Sequence, residues 1–260
     1  MKVAVLGCGA IGGVVARALA AGAVPGAALA GVVHREPVDP PDLPVLDASA
    51  AIAAADLVVE CAGHRALVET GPAVVAAGKD LLVVSVGALT DPALLPALER
   101  AGSGRVHLST GAIGGLDLLR AAAAMGGLRR VRITTTKRAP ALVQDWMDDA
   151  ERARLVSATA PVELRRGPAR EIAAAFPKSA NVAAAVALAV GDWDLVEAAV
   201  VADPAAARTA HVIEAEGVAG EHRFEIRNAP SEETPTTSAV TPYAVLRAIG
   251  DLVSTGAVIR

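Results

Sequence analysis

Short runs of Val, Leu and Ala, separated by stretches punctuated with Gly and Pro, set the texture of the first 110 residues. The runs at 2–6 (KVAVL), 29–33 (LAGVV), 57–61 (LVVEC), 81–85 (LLVVS) and 105–109 (RVHLS) are apolar with little alternation, which predicts strands buried on both faces. Helical spacing appears between them, at 11–22, 65–77 and 91–101. Strand and helix in alternation predict an α/β fold, a doubly wound parallel sheet with helices on both faces. The run at 105–109 is expected as a sixth strand, closing that sheet.

After residue 128 the pattern changes. "RRVRITTTKR" (129–138) alternates polar and branched apolar residues, as a strand with one wet face does. The segments 194–203, 210–220 and 221–228 read the same way, the last two as a hairpin. An alanine-rich helix is expected over 176–191 and another over 240–251. A second, α+β domain follows from this half-exposed sheet.

Composition narrows the function classes. Hydrophobic residues make up 53% and aromatic residues 2%, so small and branched side chains must fill the core. With 24 basic and 28 acidic residues, and no basic run of five, no nucleic-acid surface is expected. No apolar stretch reaches the roughly 20 residues of a membrane span. The start "MKVAVLG" is strand-like and lacks a secretory pattern. With two cysteines, Cys8 and Cys61, expected as reduced thiols, a cytoplasmic protein is expected. No metal site is expected.

The pentapeptide GAIGG occurs at 9–13 and again at 111–115. In the first copy, Gly7, Gly9 and Gly12 form a GxGxxG with Ala10 and Ile11 between, directly after a strand and opening a helix. Gly7 permits the tight turn, Gly9 the approach of a pyrophosphate, and Gly12 close packing of helix on strand. This is the fingerprint of a Rossmann dinucleotide site. The acid that usually follows the second strand to hold a ribose 2′-hydroxyl is missing, and His34-Arg35-Glu36 stands there. Arg35 can stack on adenine or meet a 2′-phosphate, so NADP is as plausible as NAD. The second copy has Ser109 where the first glycine of a fingerprint belongs. It is read as a crossover loop into the second domain, placed at the reacting end of the same cofactor.

Seven segments appear in the order found in L-aspartate dehydrogenases: ECAGH (60–64), SVGAL (85–89), GAIGGLD (111–117), FPKSANVAA (176–184), VADP (201–204), AHVI (210–213) and TPTTS (234–238). The chain resembles that family over essentially its whole length. The resemblance implies an NAD(P)-dependent enzyme converting L-aspartate to iminoaspartate, which hydrolyses to oxaloacetate and ammonia, reversibly. In the family, iminoaspartate can feed NAD biosynthesis. It also implies a Rossmann domain (1–110) completed by the C-terminal segment 239–260, and a central α+β domain (111–238) that helps to form a homodimer.

By the same resemblance, His211 in "TAHVI" is the catalytic base, and Ala112 and Asn181 lie at the cofactor. The chemistry suits a histidine: hydride leaves the α-carbon only when the amine is deprotonated, and an imidazole can take that proton. Cys61 and Ala62, and Ser85, Val86 and Gly87, end successive strands at the edge where such sheets bind ligands, and are assigned to the cofactor. Lys178, Thr237 and Ser238 are candidates for the substrate carboxylates. Lys137 and Arg138 in "TTTKRAP" are further candidates for those carboxylates, though a solvated strand end is the favoured reading for them. Two departures stand out, Thr209 and Ser179, where the family commonly has asparagine. Two other readings stay open: a related reductase of another small amino or keto diacid, and a silent NAD(P)-binding sensor.

Overall fold

The computed structural model describes residues 1–35, 43–177, 181–232, 234 and 236–257. In chain order its elements are β1 (Lys2–Leu6), α1 (Gly12–Ala20), β2 (Ala28–Val33), α2 (Ala48–Ala54), β3 (Leu57–Glu60), α3 (His64–Ala76), β4 (Asp80–Val83), α4 (Leu94–Arg100), β5 (Val106–Leu108) and α5 (Leu116–Met125). They continue with β6 (Leu128–Lys137), α6 (Asp149–Val156), β7 (Val162–Pro168), α7 (Ala169–Ala175), α8 (Asn181–Val190), β8 (Val196–Ala202), β9 (Thr209–Gly217), β10 (Gly220–Asn228) and α9 (Thr241–Val253). The chain divides into two compact units, residues 1–111 with the segment from Val240, and residues 112–239.

In the first unit, β1 to β5 form a parallel sheet in the order β2-β1-β3-β4-β5. The uniformly apolar runs dictate this: Val3, Ala4 and Val5 are fully buried, as are Leu57 and Val59. The winding reverses between β1 and β3, the place where open α/β sheets take ligands beyond their strand ends. The run expected as a sixth strand is instead β5, the fifth and an edge strand, because five apolar runs precede residue 110 and all five pair. Val15, Ala16 and Leu19 of α1 share one core with Val245 and Ile249 of α9. The C-terminal helix thus completes this unit's packing.

The second unit carries a mixed sheet, ordered β10-β9-β6-β8-β7, in which only β6 and β8 run parallel. Alternation along β6 buries Val131, Ile133, Thr135 and Lys137 and leaves Arg129 and Arg130 exposed. The other face holds a charge ladder: Arg132 pairs with Glu197 at 2.5 Å, and Glu197 with Arg166 at 2.9 Å. α8 packs against α5, α7 and β8, which is why its sequence is almost all Ala and Val.

Two expectations for this unit are corrected. The helix read over 176–191 begins at Asn181, and α7 stops at Ala175, since Pro177 forces Phe176 out of the helical region (φ −124°, ψ 62°). The segment 194–203 is not half-exposed: Ala198, Ala199 and Val200 are all buried in β8, a central strand. Charge-rich β7 and the short helices α6 and α7 lay outside the reading of hydrophobic runs. Even so, α6 starts on a capping box between Asp148 and Glu151.

Candidate functional site

The glycine loop is shaped by contacts that a side chain would break. Gly7 sits at φ +92° with Ala62 behind it, and a Cβ there would lie 2.7 Å from Ala62 Cα. A Cβ on Gly12 would lie 1.9 Å from the Gly7 carbonyl oxygen, so α1 touches the turn that launches it. Gly9, by contrast, faces open space with no atom within 4 Å of its would-be Cβ. That vacant approach lies beside the first turn of α1, whose N-cap Ile11 offers no side-chain acceptor. Unpaired N–H groups at a helix start favour an anion. The loop therefore fits a dinucleotide pyrophosphate, with Ala10 and Ile11 forming its rim.

Beside it, Glu60 ends β3 with no solvent exposure. Its carboxylate accepts from Ala62 N–H (2.8 Å), Gly63 N–H (2.8 Å), Ser85 N–H (3.0 Å) and Ser85 Oγ (3.0 Å). One carboxylate thus ties the turn after β3 to the turn after β4, fixing Ala62, Ser85 and the 3-10 segment with Val86 and Gly87. Burial outweighs these bonds and raises its pKa. Cys61 lines the same turn, close to Gly12. Desolvation and the neighbouring Glu60 charge push its thiol well up, which leaves it protonated and suits a wall residue. Sequence reading passed over Glu60, though an ionisable residue closing an apolar run at a strand's C-terminal end was the available signal. Glu60→Ala strands several buried donors and is expected to cost about 3 kcal/mol. A melting temperature unchanged within about 2 °C would show the clamp to be dispensable.

At the end of β2, His34 Nδ1 accepts from Cys8 N–H at 3.3 Å. Arg35 is mostly exposed, 3.8 Å from Glu69, which Arg65 also binds at 2.9 Å.

In the second unit, register places Thr135 of β6 opposite His211 of β9. Thr135 Oγ1 and His211 Nδ1 are 3.1 Å apart, and His211 is 2% exposed. Burial first, and the Lys137 charge second, lower its pKa to about 3, so the imidazole is neutral at pH 7. When Nδ1 donates to Thr135, Nε2 keeps its lone pair and no protein partner among the described residues occupies it. Lys137 is not the solvated strand end expected. It points to the same buried face as Thr135 and is 6% exposed, whereas Arg138 is exposed. Its Nζ donates to Thr236 O at 3.4 Å, next to Thr237 and Ser238. Thr237 is held in turn, its N–H bonded to Thr234 O and its carbonyl to Ser231 N–H, both 2.8 Å. The fold thus gathers His211, Lys137 and the Thr237–Ser238 turn within one unit. Thr209 opens β9, two residues from His211.

The remaining candidates are more scattered. Asn181 is the first residue of α8. Lys178 and Ser179 lie outside the described residues. In the second GAIGG, Ala112 O accepts from Asn228 Nδ2 at 2.7 Å, and a Cβ on Gly115 would meet the Phe224 ring at 2.6 Å. Among the described residues no cluster of His, Cys, Asp and Glu could hold a metal.

A family model described as aspartate dehydrogenase, C-terminal, matches residues 117–252. A second, homoserine dehydrogenase, NAD binding domain, matches residues 7–107. An L-aspartate dehydrogenase of Ruegeria pomeroyi is 45% identical over 199 residues, 75% of this chain and 70% of its own length. That of Ralstonia pickettii is 38% identical over 96% of this chain and 97% of its own. The chain belongs to the L-aspartate dehydrogenase family. The crystal structure of aspartate dehydrogenase from Thermotoga maritima, 25% identical, matches 100% of this chain and 99% of that one with a TM-score of 0.76. More distantly, scyllo-inositol dehydrogenase from Lactobacillus casei, solved with bound NAD(H), shares the fold at 16% identity and a TM-score of 0.54. In this member of the family the first unit is an NAD-binding domain, and its GxGxxG loop falls within the matched residues.

Proposed function

We propose that this chain catalyses the reversible oxidative deamination of L-aspartate with NAD or NADP. L-Aspartate and oxidised cofactor give iminoaspartate, reduced cofactor and a proton, and water then converts iminoaspartate to oxaloacetate and ammonia. The observation that carries the reading is the buried, neutral His211, held through Nδ1 by Thr135 in the unit that also buries Lys137. Nε2 accepts the proton from the substrate ammonium, which frees the nitrogen lone pair to form the C=N bond. The same imidazole, once protonated, returns that proton in the reverse direction; after releasing it to solvent, the neutral ring activates water against the imine in hydrolysis. The bound nicotinamide supplies the hydride acceptor. Gly7, Gly9 and Gly12 hold its phosphates, Cys61, Ala62 and the Ser85–Gly87 turn wall it, and Ala112 and Asn181 are assigned to the cofactor by the family resemblance. Thr237 and Ser238 offer hydroxyls to a substrate carboxylate.

Aspartate-dependent reduction of NAD and of NADP, measured side by side with glutamate and neutral amino acids as controls, tests this. Turnover with glutamate but none with aspartate would favour another diacid reductase, and dinucleotide binding without any turnover would favour a sensor. The working form is a cytoplasmic homodimer that the second unit helps to form, and its iminoaspartate is available to NAD biosynthesis. Arg35, exposed just beyond β2 and 3.8 Å from Glu69, reads the 2′-phosphate. Arg35→Asp is expected to move the ratio of NADP to NAD dissociation constants at least about tenfold towards NAD. An unmoved ratio would show that Arg35 does not read that phosphate.

A further inference from the structure

The end of β6 buries an ammonium whose charge the protein itself does not answer. Lys137 makes one long hydrogen bond, 3.4 Å to Thr236 O, and pairs with no carboxylate among the described residues. Its exposure is 6%. An ammonium taken out of water without a counter-charge costs on the order of several kcal/mol. Such a cost is tolerated where the counter-charge arrives with a ligand. Burial draws the Lys137 pKa down to about 8, so the group is still largely protonated at neutral pH.

Its neighbours indicate which ligand. Thr135 and Lys137 share the buried face of β6, and Thr135 holds His211. Thr236, which Lys137 contacts, leads into the hydroxyls of Thr237 and Ser238. A cation and an imidazole within reach of its charge therefore lie together, with a hydroxyl-bearing turn next along the chain from the carbonyl that the cation contacts, which is a donor set for an anion carrying an amine. We propose that Lys137 is the counter-ion of one carboxylate of the dicarboxylate substrate, and that this pairing sets the preference for dicarboxylates over monocarboxylates. The assignment rests on aspartate being the substrate. It also has a catalytic consequence: a carboxylate on Lys137 offsets the positive field that helps to hold His211 low. The imidazole becomes a stronger base once substrate is seated.

Succinate, which has no amine to oxidise, and butyrate, with a methyl in place of one carboxylate, separate binding from turnover. Calorimetry with the full chain is expected to show succinate binding at least about thirtyfold tighter than butyrate. Lys137→Met should cut that ratio at least about tenfold, and Lys137→Arg should restore part of it. A Met variant that melts like the parent and keeps the full ratio overturns the proposal, as does a parent that does not discriminate the two ligands. Should the Met variant not fold, the parent decides the matter. Near pH 8.5 succinate binding should take up a fraction of a proton, seen as buffer-dependent heat, and no uptake overturns the proposal. Loss of activity on aspartate but not on asparagine in the Met variant assigns Lys137 to the side-chain carboxylate, and equal loss assigns it to the α-carboxylate. If succinate binding depends on Lys137 while aspartate is not oxidised, the activity fails and the anion site stands.

Discussion

His211→Ala is expected to lower aspartate-dependent turnover about a thousandfold while the dissociation constants for NAD and NADP stay within about twofold. The expectation follows from the geometry. His211 lies in the second unit and the glycine loop in the first, so the substitution leaves the pyrophosphate cradle intact. It removes the one buried imidazole whose Nδ1 is fixed by a threonine and whose Nε2 has no protein partner among the described residues. Unchanged aspartate oxidation in the variant would remove His211 from the mechanism. Its burial has a second, thermodynamic signature. The folded-state pKa of about 3 lies below the ordinary histidine value of 6.5, so between these values the unfolded chain binds the extra proton. Stability from this site is complete above pH 6.5 and declines as pH falls towards 3, at up to about 1.4 kcal/mol per pH unit. His211→Ala should flatten that part of the stability curve, and an unchanged slope would mean that His211 is not buried neutral.

The second large effect is expected at Gly12. A Cβ 1.9 Å from the Gly7 carbonyl oxygen cannot be accommodated by a side-chain adjustment, since both partners are backbone. Gly12→Ala must force α1 away from the turn after β1, at a cost on the order of 3–5 kcal/mol, and dinucleotide affinity should fall at least about a hundredfold. Gly9→Ala separates the two consequences. Its Cβ meets no protein atom within 4 Å, so the melting temperature should hold while dinucleotide affinity drops. Equal loss of stability in both variants would mean that Gly9 shapes the loop rather than opening it to a ligand.

The two copies of GAIGG show how far a motif carries. Only the first lies after Gly7, and there the last-but-one glycine packs against the strand turn. In the second, the final glycine at φ +80° lets α5 begin against the Phe224 ring, a contact with a residue more than a hundred positions away. Identical residues thus meet different neighbours. Lys137 teaches the same point in reverse. Its place in "TTTKRAP", beside an arginine, reads as a wet strand end, yet Arg138 is exposed and Lys137 is buried. Alternation along β6 sends successive side chains to opposite faces, and the Thr236 turn, distant in sequence, borders Lys137.

What the sequence alone determined is whatever depends on local spacing. Uniform apolar runs specify a parallel sheet buried on both faces, alternation specifies a sheet with one wet face, and a GxGxxG after the first strand specifies the phosphate loop. What the tertiary structure decided depends on neighbours that are remote along the chain. The pairing of Thr135 with His211 is a matter of strand register. The clamp of Glu60 on Ser85 joins two adjacent strands through their turns. The burial of Lys137 without a counter-charge exists only because β6 is covered there, and desolvation acts on a group's surroundings, which no local pattern in the chain encodes.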